Sequence, residues 1–331
     1  MLRKPKILVV GSLNMDVTAS AKRLPGAGET VIGGKFQTAP GGKGLNQAVQ
    51  CARLGARVTM AGKVGHDEFG KQLLNVAEEA GVDVSHILTD ENESTGAAVI
   101  MLEEKENGTQ NRITVCPGAN FTIRAEELSW LREGIRDYDI VILQFEIPMP
   151  VVEQVAAWAH DAGVPVMVNP APAAEISDRL LSCTAYLSPN EHEAALLSGH
   201  VIRTEGGVCE EDVKEAAEYF HQRGVRNLII TMGENGAVSS GKGGLCHTPC
   251  VRMPEAADST AAGDSFVGAF CTGLTAGLSQ EQALAFASHT AAITVSRMGA
   301  ITSLPVLDEV QNLLRERDFR GFDPDSLNAL K

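Results

Sequence analysis

This 331-residue chain is expected to form an α/β body, a mostly parallel sheet with helices on both sides. Short apolar runs alternate with longer stretches whose apolar residues recur every three or four positions, the pattern of strands buried on both faces and joined by crossover helices. Aromatic residues make up only 5% while glycines number 33, which suits close helix-on-sheet packing better than an aromatic-rich β-sandwich. A hydrophobic content of 44% against 21% charged residues supplies a large core.

The strands are read at 6–11, 58–61, 140–143, 166–168, 185–187 and 227–231, and the intervening helices at 45–54, 68–80, 151–162 and 213–222. Several of those helices close on glycine. From Ala261 onward no strand of similar strength follows, and 263–276, 279–297 and 306–315 read as successive helices. Two segments break the rhythm: 15–38 and 95–116 contain short alternating strands, among them 29–32, 96–101 and 112–116, with no helix between them. They are expected to form a small β-sheet lid inserted into a single domain spanning 1–331, since no linker or repeat divides the chain.

Composition excludes several classes of function. With 28 Lys and Arg against 42 Asp and Glu, the formal charge is −14, which argues against nucleic acid as a partner. No run approaches the length needed to span a membrane. Arg3, Lys4 and Lys6 precede only the short run 7–10, which then meets Ser12, Asn14 and Asp16, so this segment reads as a strand and not a secretory leader. Seven scattered cysteines, odd in number and without a CxxC pair, fit a reducing cytoplasm. Cys246, His247 and Cys250 form one soft-ligand cluster, but no second cluster stands at zinc spacing.

Two motifs can carry chemistry. In 40–48, Pro-Gly-Gly-Lys-Gly-Leu-Asn-Gln-Ala, glycines open a helix whose free N–H groups favour an anion, and Lys43 and Asn46 add donors that a plain turn does not need. In 257–266, small residues lead into a helix starting near Gly263, leaving N–H groups unobstructed. Asp264 stands where phosphate would be repelled, which makes sense if it takes a proton from an attacking hydroxyl beside an anion cradle; helix capping is the alternative reading. Residues 236–242 mimic a phosphate loop, but Gly243 replaces the Mg²⁺-binding hydroxyl and no helix follows, so a hairpin is expected. The first strand lacks a G-x-G-x-x-G sequel, which removes the main support for a dinucleotide-binding dehydrogenase. Polar residues follow four strands: Asn14 and Asp16, Gln144 and Glu146, Asn190 and Glu193, Thr231 and Gly233. They share the carboxyl edge, where ligands bind in open α/β sheets.

These motifs together resemble the ribokinase-like (PfkB-type) carbohydrate kinases, from about residue 7 to 305. The resemblance rests on 11–16 (GSLNMD), 41–48 (GGKGLNQA), 117–120 (PGAN), 144–148 (QFEIP), 169–173 (NPAPA), 189–194 (PNEHEA) and 258–264 (DSTAAGD). It implies a ribokinase-like three-layer α/β/α sandwich with a β-lid, and transfer of the ATP γ-phosphoryl group to a primary hydroxyl, foremost the 5-hydroxyl of D-ribose. It further implies Asp264 as general base, with the N–H groups of Ala262, Gly263 and Asp264 as anion hole. Asn14, Asp16, Gly42, Lys43, Asn46 and Glu146 would hold the sugar. Asn190, Thr231, Gly233 and Gly236 would lie along ATP, with Gly263 at its phosphates and Ser288 facing adenine. Asn190 and Glu193 would order the Mg²⁺ shell, and Asp258, Thr260, Thr294, Arg297, Gly299 and Ser303 would surround a monovalent cation, usually K⁺. A homodimer joined through the lids is also implied.

Some positions depart from the family pattern. Ala261-Ala262 replaces a common Gly-Ala, Leu45 replaces Ala, and Ser288 replaces His or Asn, while the tail 315–331 extends past the usual end without a role. Acceptors other than ribose, such as 2-deoxyribose, fructose or a nucleoside, stay open, as does a catalytically silent sugar-binding protein on the same fold. The Asn14-x-Asp16 pair favours vicinal hydroxyls, because a 2-deoxy sugar would leave one partner unmet.

Overall fold

The computed structural model describes residues 2–105 and 108–331. Residue 1 of the expected domain and residues 106 and 107 of the expected 95–116 lid segment lie outside the described residues. The strands are β1 (Lys6–Val10), β2 (Asn14–Ala21), β3 (Phe36–Gly41), β4 (Arg57–Gly65), β5 (Val82–Asp90), β6 (Gly96–Lys105), β7 (Gly108–Cys116), β8 (Ile140–Leu143), β9 (Val166–Val168), β10 (Tyr186–Leu187), β11 (Asn227–Thr231), β12 (Ala237–Gly241) and β13 (Gly244–Thr248). The helices are α1 (Lys43–Arg53), α2 (Glu68–Glu79), α3 (Leu131–Gly134), α4 (Met149–Asp161), α5 (Asp178–Cys183), α6 (Glu191–Ser198), α7 (Glu210–Gln222), α8 (Ala262–Ala276), α9 (Gln280–Val295) and α10 (Leu307–Glu316).

Nine strands form the main sheet in the order β13-β12-β11-β10-β9-β8-β1-β4-β5. Pairing is parallel from β11 to β5, and the β12–β13 hairpin adds to one edge antiparallel. The two-residue side-chain period of β1 divides the interior: Ile7 and Val9 join a core with α1, α2, α8, α9 and α10, whereas Leu8 and Val10 join a second core with α3 to α7. The result is a three-layer α/β/α sandwich. Burial of Phe266 and Phe270 presses α8 onto the sheet, each side chain contributing about 1.5–3 kcal/mol.

The four remaining strands form the lid sheet, ordered β3-β2-β6-β7. Its register puts Asp16, Ala98 and Val115 on one face, and their i±2 neighbours Thr18, Ile100 and Ile113 on the same face. Ile113 and Val115 of that face are more than half exposed. The expected strand at 29–32 does not form, and Ile32 is 98% exposed. The third lid strand instead runs over Phe36–Gly41, so the glycine cluster both ends a strand and opens α1. Pairing of Asn14 with Gly41, a contact between distant segments, moves the strand there.

β1 lies between β8 and β4, so the chain leaves it in opposite directions, and the crevice at its carboxyl end is the switch point where such sheets bind ligands. The tail also has a place. Leu327 and Leu330 are fully buried, Gln311 Nε2 donates to the Pro324 carbonyl at 2.8 Å, and Arg315 pairs with Asp325, fastening the tail against α10.

Candidate active site

The entry to α1 sets one wall. Gly42 has φ +96°, and a Cβ there would lie 2.7 Å from the Asn14 nitrogen; a Cβ on Gly44 would lie 2.5 Å from the Ser12 nitrogen. Glycine therefore lets the α1 N-terminus meet the end of β1 backbone to backbone. Glu146 Oε2, arriving after β8, accepts from the Lys43 N–H at 3.0 Å, from the Ser12 hydroxyl at 2.5 Å and from Asn14 Nδ2 at 3.3 Å. A carboxylate at a helix N-terminus is electrostatically favoured, so this joint is stable while it leaves polar atoms facing the crevice.

Asp264 lies in the first turn of α8 and is buried. Its Oδ2 accepts from Asn46 Nδ2 at 2.9 Å and its Oδ1 from Gln47 Nε2 at 2.8 Å. Asn46 Oδ1 is buried without a protein partner among the described residues. Beside Asp264, the N–H groups of Gly263 and Asp264 meet no protein acceptor among the described residues, and a Cβ on Gly263 would meet nothing within 4 Å. The Ala262 N–H, expected in the same cradle, donates to the Ser259 carbonyl at 3.2 Å, because Ala261 turns left-handed with φ 59° before the helix. Of the three expected N–H groups, those of Gly263 and Asp264 are thus left open.

Asp16, at the base of the lid, has its carboxyl pushed up to about 6, first by burial and then by the fields of Glu146 and Asp264. Burial acts to lower the Lys43 ammonium, but the carboxylates of Asp264, Glu146 and Glu193 together raise it. Lys43 therefore stays charged between the two ends of the crevice. A cavity of about 190 Å³ runs from Lys43 and Asp264 past Gly263 to Asn190, Glu193 and Thr231.

At that far end Asn190 caps α6. Glu193 N–H donates to Asn190 Oδ1 at 2.7 Å and Asn190 N–H to Glu193 Oε2 at 2.9 Å. Burial raises the Glu193 carboxyl, against the Asn190 N–H and Lys43. The Asn190–Thr231 backbone bridge brings the ends of β10 and β11 together. Gly233 and Gly236 take φ 50° and 82° in the turn before β12. Ser288 is buried within α9 and does not line the cavity.

Behind α8, Asp258 accepts from the Thr260 N–H at 2.9 Å, the Thr260 hydroxyl at 2.7 Å and the Gly299 N–H at 2.9 Å. These hydrogen bonds hold its carboxyl below the usual range although burial opposes them. The Thr294 hydroxyl donates to Ser265 Oγ at 2.7 Å, Ser303 Oγ to the Ala300 carbonyl at 2.6 Å, and Arg297 pairs with Glu309 at 2.5 Å. The structure thus joins Asp258, Thr260 and Gly299 directly, and turns the Arg297 side chain away to Glu309.

Several contributors have no role assigned by the sequence reading. Asn120 donates to Asn14 Oδ1 at 2.8 Å and brackets the Leu13 peptide, with bonds to its N–H and carbonyl at 2.9 and 3.0 Å. Ser12, Gln47 and Asn169 act similarly from behind the first residues. Their signal was polar side chains on faces otherwise apolar, as in Gln47 and Gln50 on the buried side of α1.

A buried carboxylate beside unpaired helix N–H groups, under a lid at a switch point, is the equipment of a kinase that phosphorylates a small-molecule hydroxyl. Residues 4–307 match the pfkB family carbohydrate kinase model, and the chain belongs to that family. It is 40% identical over 311 residues to a ribokinase of Schizosaccharomyces pombe, covering 92% of this chain and 96% of that one. It is 37% identical over 310 residues to a ribokinase of Haemophilus influenzae, covering 93% and 98%. The solved structure of Arabidopsis thaliana ribokinase complexed with ribose and ATP is similar at a TM-score of 0.88 and 34% identity, covering 94% of this chain and 99% of that one.

Proposed function

We propose that this chain transfers the γ-phosphoryl group of ATP to the 5-hydroxyl of D-ribose, giving ribose 5-phosphate and ADP. The observation that carries this reading is Asp264, a buried carboxylate held by two amide donors beside the open N–H groups of Gly263 and Asp264. Asp264 takes the proton of the acceptor hydroxyl as the bond to phosphorus forms. The cradle and Lys43 meet the charge on the transferring phosphoryl oxygens. Asn14, Asp16, Gly42, Asn46 and Glu146 hold the other hydroxyls, so that the acceptor oxygen alone faces Asp264. The lid excludes water as a competing acceptor.

ATP lies along Asn190, Thr231, Gly233 and Gly236, with its phosphates at Gly263; Ser288, buried within α9, would reach the adenine only if the cavity widened toward α9. Mg²⁺ neutralises charge on the ATP phosphates when bound. The capping box leaves one Glu193 oxygen and the Asn190 amide nitrogen uncommitted, which suits ordering Mg²⁺-bound water better than direct ligation. A monovalent cation, K⁺, fits beside Asp258, which has no cationic side chain paired with it among the described residues. Thr260, Thr294, Gly299 and Ser303 surround it, and Arg297 has only its backbone carbonyl to offer. A second copy covers the exposed apolar face of the lid sheet, so the protein works as a homodimer in the cytoplasm.

The test is ADP release with Mg²⁺-ATP and K⁺ on ribose, 2-deoxyribose, fructose and adenosine. Ribose should give a kcat/KM at least about tenfold above the others, since a site built for a hydroxyl rejects the analogue lacking it. Preference for another acceptor would retain the kinase and replace the substrate. Sugar binding without ADP release would favour a silent binder.

A further inference from the structure

Four buried amide side chains surround the Asp264 carboxylate in a chain with a fixed direction. Gln47 Nε2 donates to Asp264 Oδ1 at 2.8 Å and to Asn169 Oδ1 at 3.0 Å. Asn169 Nδ2 donates to the Ser188 carbonyl at 2.8 Å. Gln144 Nε2 donates to Gln47 Oε1 at 2.6 Å, and Asn46 holds the second Asp264 oxygen. A carboxylate and a backbone carbonyl can only accept. The chain therefore has obligate acceptors at both ends, Asp264 and Ser188. Turning the Gln47 amide over would set its oxygen against those of Asp264 and Asn169, and would leave the Gln144 donor facing nitrogen.

The order has a cost. Gln144 Oε1 is buried without a partner among the described residues, packed where a Cβ on Gly11 would lie 2.0 Å away. An unpaired buried acceptor is unfavourable, yet this one follows from aiming the Gln144 donor at Gln47.

We propose that Gln47 is a positioning residue that fixes the orientation of the Asp264 carboxylate, and that Gln144 and Asn169 act by holding the Gln47 amide in its one productive direction. This rests on Asp264 being the base. Two N–H donors, one on each oxygen, fix the carboxylate plane, leaving a lone pair free for the acceptor hydroxyl. The charged groups facing Asp264 are Lys43 from α1, Asp16 from the lid strand β2 and Glu193 from α6.

The experiment is kcat and KM at neutral pH for Gln47→Met, Gln47→Glu and Gln144→Met, each checked for folding by its melting temperature. Each Gln47 variant removes a donor to Asp264, so kcat should fall about tenfold or more, while KM for sugar and for ATP stays within about twofold. Gln144→Met should lower kcat in the same way by less, and carries the test if the Gln47 variants do not fold. A kcat within about twofold of the wild type, or a loss carried by KM, would overturn the inference and leave the proposed function standing. Absence of wild-type turnover on every sugar would overturn both.

Discussion

The two ends of the crevice are built by opposite means. At the Asp264 end, side chains from β2, α1, α8 and the loops beside them bond to one another: Glu146 to Ser12, Asn14 and the Lys43 N–H, Asn120 to Asn14, and Asn46 and Gln47 to Asp264. At the Asn190 end, Asn190 and Glu193 bond to each other and the remainder is turn backbone at Gly233 and Gly236. The first end can discriminate hydroxyl by hydroxyl, because a missing partner leaves a buried polar atom unmet. The second offers shape and N–H groups, which suit phosphates common to every nucleoside triphosphate.

Substitutions should separate the two ends. The largest effect is expected for Asp264→Asn, which keeps the shape and removes the carboxylate proposed as base: kcat should fall by about 10³ or more, with sugar affinity changed less than about tenfold, read by turnover and by calorimetric titration of the sugar. Asn46→Ala deletes a donor to Asp264 and a buried acceptor without a partner among the described residues, so kcat/KM for ribose should drop about 100-fold while KM for ATP barely moves. Gly236→Ala should do the converse. At φ 82°, with a Cβ 2.2 Å from the Thr248 carbonyl, the turn must shift, raising KM for ATP about tenfold and leaving the sugar KM nearly unchanged.

Asp16 gives a smaller and pH-dependent contrast. Its carboxyl is pushed from an ordinary 3.8 up to about 6 in the folded protein by burial, Glu146 and Asp264. Between those values the folded chain binds more protons than the unfolded one, so this group's contribution to stability falls as pH rises from about 4 to 6. Asp16→Asn should therefore stabilise the free protein by about 1 to 2 kcal/mol above pH 6, with the gain gone below about pH 4, as measured by denaturant titration. The same substitution should weaken sugar binding. Stability and sugar binding would then trade against each other at Asp16, a carboxyl buried beside Glu146 and Asp264.

Sequence patterning reached the buried centre of the sheet more easily than its edges. Continuous apolar runs mark β1, β8 and β11, each covered on both faces. β5 was not anticipated, because this edge strand alternates buried and exposed positions through Asp83, Ser85 and His86 and never forms an apolar run. The lid was legible as an interruption, but its third strand was placed at 29–32 when pairing with β2 selects Phe36–Gly41. In the site, Asp264, Asn46, Lys43 and Glu146 stood out because their motifs carry polar groups at helix and strand ends. Asn120, Gln47 and Asn169 lay in the same motifs without a readable task, since holding another side chain depends on contacts up to 217 residues away in sequence. Ala262 shows a finer limit: the left-handed turn at Ala261 diverts its N–H to Ser259, a backbone detail that composition does not specify.

The most direct measurement is the phosphorus NMR spectrum of the product formed from ribose and Mg²⁺-ATP. The arrangement at Asp264 predicts a phosphomonoester coupled to the C5 methylene protons, together with ADP, and neither in Asp264→Asn over the same time. Phosphate on a different oxygen of the sugar, or inorganic phosphate with no sugar ester, would contradict the account.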